Sequence, residues 1–167
     1  MSQKQESAHC YLIKDDMTDI PASMRAELGE WNNGKGIDLE AWIGCEGRFS
    51  LAVGYLAIFW PSLELVDGHI VHQGVDRASI KDWASQPGSS RRSVETILNH
   101  RHLVDIQHTG CSDCSADKLL KLGYAQKEIY EAKLKWQFPD RPCEVSFFIP
   151  EDSEALEQYE ITFWQIE

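Results

Sequence analysis

From Phe49 to Trp60 the chain reads FSLAVGYLAIFW, twelve residues without a formal charge. No other stretch constrains the fold as strongly, because no arrangement of it offers water a polar face. The expectation is that other elements cover it. As a helix it places Leu51, Tyr55, Ile58 and Phe59 on one side and Val53, Leu56, Ala57 and Trp60 on the other, a helix buried nearly all round. As a strand it would be a central one, apolar on both faces. Length favours the helix, since strands usually run to about 5–6 residues. Alanine and leucine favour it too, against about 1 kcal/mol from Gly54, and Pro61 ends it.

At 167 residues the chain fits one domain with a real core. Residues 1–10 read as a tail and residues 11–167 as a single α+β domain. Tyr11–Ile13 has the makings of a short strand or surface anchor. Pro21 starts a helix over Ala22–Trp31, and Asn32–Gly36 is a loop by composition. Asp38 caps a further helical segment, which Gly44 and Gly47 threaten to interrupt. Leu63–Val66 and His69–His72 flank Asp67-Gly68, the strongest hairpin signal in the chain. Ala78–Ser85 and a segment from Ser89 or Ser90 to about His100 read as helices, the second with Val94, Ile97 and Leu98 inward. After Cys114 a long helical region follows, its apolar stripe Leu122, Ala125, Ile129, Ala132 and Trp136. Cys143–Ile149 and Tyr159–Ile166 read as strands apolar on both faces. The expected fold is a helical layer on one small antiparallel sheet of about four strands.

Composition narrows the function classes. A formal charge of -11 repels phosphate backbones, so no nucleic-acid partner is expected. The same charge suits a basic protein partner. The apolar run is well short of the roughly 20 residues that cross a bilayer, and MSQKQESAHC has no signal-like apolar core. Five cysteines then read as free thiols in a reducing compartment, hence a cytoplasmic protein without a membrane partner.

His100, His102, His108, Cys111 and Cys114 fall within fifteen residues. Zinc takes nitrogen and thiolate ligands, and Cys-x₂-Cys turns two sulfurs toward one ion. Against this, His100 and His102 are two apart and would diverge by roughly 200° on a helix. They share an ion only if the chain has left the helix by Asn99. The plain alternative is a helix end followed by a loop, with histidines in the last turn and cysteines as small hydrophobes. Cys111-Ser-Asp-Cys114, ahead of a helix, also resembles a thioredoxin-type active site over about twenty residues. No βαβ unit precedes it, and Asp113 disfavours the thiolate.

Glu64, Asp67, His69 and His72 read as a solvated hairpin edge rather than an acid–base set. The sequence carries no GxSxG, P-loop, dinucleotide fingerprint or HExxH. The expectation is therefore an acidic protein-interaction or regulatory protein without catalysis, for example an inhibitor or immunity-type protein, with no cofactor. The alternative is a zinc-binding or thiol-dependent enzyme using the His100–Cys114 block. No oligomeric state follows from the sequence.

Overall fold

The computed structural model describes residues 20–107 and 111–166. The expected tail, the Tyr11–Ile13 segment and His108 lie outside the described residues. The described chain is a single α+β domain with six helices and two antiparallel sheets. In order these are α1 (Ala22–Gly34), α2 (Leu39–Glu46), α3 (Phe49–Phe59), β1 (Leu63–Val66), β2 (His69–His72), α4 (Arg77–Ala84) and α5 (Arg91–Leu98). There follow β3 (Arg101–His102), α6 (Ala116–Gln137), β4 (Cys143–Phe148) and β5 (Glu160–Gln165).

Local chemistry accounts for most boundaries. Asp38 accepts the Ala41 amide at the start of α2, and Asp76 accepts the Ala78 amide at the start of α4. Ser90 and Ser93 close a reciprocal capping box on α5. In α1 the backbone leaves the helix at Trp31, and Asn32 and Asn33 turn left-handed. Asp67 and Gly68 have φ of 50° and 87°, the primed turn that joins β1 to β2 with Val66 opposite His69.

Strand β5 is the centre of the second sheet, in the order β3-β5-β4. Its side chains alternate between two helices. Phe163 meets Tyr130 of α6 with ring centroids 6.0 Å apart, while Trp164 lies under the Arg92 guanidinium of α5 at 4.5 Å. That double cover is why Ile161, Phe163 and Trp164 are all buried.

The α+β fold of helices on a few antiparallel strands is as expected, and the strands divide into two small sheets. No ladder joins β2 to β5; side chains of α5 and its C-cap residue take its place. Asn99 donates to the carbonyls of Ile70 and Phe163 (2.8 and 3.2 Å) and accepts from the His72 amide. One turn earlier, Glu95 accepts from the amides of Ile70 (2.8 Å) and Gln165 (2.6 Å) and from the Gln165 side chain. Both residues are 0% exposed. Backbone groups that a continuous sheet would pair are thus satisfied by two polar side chains four residues apart on one helix face.

Two expectations need correction. Helix α6 is unbroken, but its buried face is Leu119, Gly123, Gln126, Tyr130, Lys133 and Leu134, and Trp136 is 71% exposed. Tyr130 and Gln126 turn inward because their polar ends reach the Ile58 carbonyl and each other. The Phe49–Trp60 run is helical as expected but not covered: α3 has no buried residue, and Phe49 is 94% exposed. Only its Tyr55, Ile58 and Phe59 side is partly shielded, chiefly against α6.

Candidate functional site

The condition for His100 and His102 to converge is met. Helix α5 ends at Leu98, Asn99 serves as its C-cap, and the next residues are extended. With a strand's period of two, positions 100 and 102 share a side. The two rings lie 4.7 Å apart, centroid to centroid, nearly edge to face.

The third group comes from far along the chain. Strand β3 pairs with β5 so that His102 stands opposite Glu160. The Glu160 carboxylate reaches His100 Nε2 at 3.1 Å and His102 Nδ1 at 3.4 Å. One ligand atom from each of His100, His102 and Glu160 falls within 4.8 Å of the other two. His102 Nδ1 also lies 2.6 Å from the Glu157 carbonyl. In the tautomer whose Nδ1–H donates to that carbonyl, Nε2 keeps its lone pair for an ion, as in many metal-ligating histidines.

All three side chains keep about a third of their surface open, so a bound ion would retain room for water. A cavity of about 280 Å³ adjoins the histidines, lined also by Ile58, Arg101, Asp105 and Gln126. Its size is at the lower end for ligand pockets and suits a small molecule rather than a polymer.

The remaining sequence candidates behave differently. Cys111 and Cys114 are exposed free thiols, and neither joins a three-ligand group among the described residues. Burial pushes the Cys114 thiol above its ordinary value, with Cys111 and Asp113 adding to the rise and Lys118 opposing it. That shift opposes both thiolate ligation and redox attack. Lys118 is itself paired to Asp113.

The hairpin set is dispersed rather than clustered at a solvated edge. Glu64 accepts the Gly74 amide, and Asp67 faces Arg77 at 3.8 Å. His72 is only 6% exposed, edge-on to Phe163 and Tyr130, and neither ring nitrogen has a partner among the described residues. Burial pushes its imidazole down to about 3, and the Arg101 guanidinium adds to the effect.

Sequence reasoning missed Glu160, Glu95 and Asn99. Glu160 lies 58 positions after His102, and only the β3–β5 register joins them. Glu95 and Asn99 did carry a signal, because two polar residues four apart interrupt the inward side of a helix that otherwise offers Val94 and Leu98.

Compared with protein-family models, curated proteins and solved structures, the chain matches none.

Proposed function

We propose that this chain binds a divalent transition-metal ion, with zinc as the reference case, through His100, His102 and Glu160. The observation that carries the reading is the convergence of two imidazoles, from His100 and from β3, and one carboxylate from β5, to within 4.8 Å. Two histidines and a carboxylate with an open fourth position form a donor set known for zinc, and on other metals the same set also leaves sites for exogenous ligands. An ion there would polarise a bound water or a carbonyl entering the adjacent cavity. Without an ion the same contacts amount to hydrogen bonds or ion pairs between histidines and a glutamate, so the test has to separate the two.

Zinc titration of the full chain under reducing conditions, in competition with a chromophoric chelator, makes that separation. One equivalent is expected to bind, and Glu160→Gln and His100→Ala are each expected to weaken it at least about tenfold. Acidification is expected to weaken it as well, because the ligating imidazoles must be neutral. Equal zinc affinity in wild type and both variants would remove the site.

A protein-interaction role has support of its own in the exposed apolar helix α3.

A further inference from the structure

The exposed side of α3 is ordered, not random. Phe49, Val53, Leu56 and Trp60 follow one another at intervals of four, three and four, the spacing of a coiled-coil seam. Phe49, Val53 and Leu56 are 94, 67 and 61% exposed and Trp60 is 46% exposed. The strip continues onto α6, where the Trp136 ring lies 6.2 Å from Trp60. The Lys133 ammonium sits 4.6 Å from the Trp60 ring and 5.6 Å from that of Trp136, and holds both indoles in place.

From these exposures together with that of Trp136 the strip presents roughly 700 Å² of mostly apolar surface, large for a patch on a monomer and close to the ~800 Å² that each partner contributes to a standard interface. Its order reads the same in reverse. About a point between Gly54 and Tyr55, Phe49 mirrors Trp60 and Val53 mirrors Leu56. Two antiparallel copies of α3 therefore bring Phe49 of each against Trp60 of the other, with Val53 against Leu56 in the middle, as a two-fold interface requires. Charge does not oppose contact through the strip itself. A chain of -11 repels its own copies over most of its surface, but α3 and Trp60 carry no charge.

We infer that the Phe49–Trp60 strip, extended by Trp136, is the two-fold interface of a homodimer. Sedimentation equilibrium of the full chain tests it. Dimer is expected to dominate at about 100 µM, and association is expected to strengthen several-fold between about 20 and 500 mM salt as repulsion is screened. Leu56→Glu, at an exposed position, is expected to weaken dimerisation at least thirtyfold, because the charge enters both halves of the seam. Ile97→Glu, at a position on α5 that the structure leaves 44% exposed rather than inward as the sequence suggests, is expected to leave it unchanged, and circular dichroism checks that both variants fold. A wild-type monomer at high salt would overturn the inference and leave the strip to another occupant, such as residues 1–19 or a different protein. Equal effects of the two variants would overturn it too.

Discussion

Glu95→Ala removes the acceptor through which α5 ties β2 to β5. Two buried backbone amides, those of Ile70 and Gln165, lose their partner (2.8 and 2.6 Å). The Gln165 side chain keeps the Gly68 carbonyl at 2.9 Å and adds little to the loss. Each stranded amide costs about 1–3 kcal/mol. Removing the carboxylate also ends its own desolvation, so a net loss of about 3 kcal/mol is expected, against a typical total of about 5–15 kcal/mol. Urea unfolding followed by tryptophan fluorescence reads this directly. With a slope of about 2 kcal/mol per M, the midpoint should fall by roughly 1.5 M. Glu95→Gln keeps one acceptor oxygen but turns an N–H toward an amide, and should lose about 2 kcal/mol. An alanine variant within about 0.5 kcal/mol of wild type would refute the bridging role.

Two further stability predictions rest on single contacts. A Cβ built on Gly123 meets the Phe147 ring at 2.2 Å, and Tyr124 and Tyr159 pack around that ring. Gly123→Ala should therefore lose about 1–2 kcal/mol in chemical unfolding despite the better helix propensity of alanine, and a stabilised variant would contradict this. The second concerns pH. The His72 imidazole is pushed down to about 3 in the fold, so below about pH 6.5 the unfolded chain takes up a proton that the folded chain refuses. Its contribution is fully present above that pH and is lost on acidification toward about 3, at up to about 1.4 kcal/mol per pH unit. His72→Phe keeps the ring packing, removes two unpartnered nitrogens and should flatten this slope; an unchanged slope would refute the assignment.

Features set by neighbouring residues were legible in the sequence. The Asp67-Gly68 turn, the caps at Asp38 and Ser90 and the helical state of Phe49–Trp60 each follow from chemistry within a few positions. Burial was not legible in the same way. Apolar character at Phe49 and Trp136 says what a side chain prefers, whereas the covering surface depends on what packs against it, including any second copy. On α6 the inward positions include Gln126 and Lys133, which a hydrophobic stripe passes over. For the site, His100 and His102 could be picked out, and leaving the helix by Asn99 was identifiable as the condition for their convergence. The carboxylate was not legible, because it arrives through a strand register that joins His102 to Glu160 across the sheet.

Zinc-edge X-ray absorption on the full chain loaded with one equivalent of zinc tests the metal assignment most directly, since it separates the histidine–carboxylate site from the exposed Cys111/Cys114 pair. A site built from His100, His102 and Glu160 gives only nitrogen and oxygen neighbours, at about 2.0–2.2 Å, with the imidazole signature lost in a His100→Ala, His102→Ala variant. A sulfur shell near 2.3 Å, retained in that variant and abolished by Cys111→Ser with Cys114→Ser, would contradict it and move the ion to the thiols.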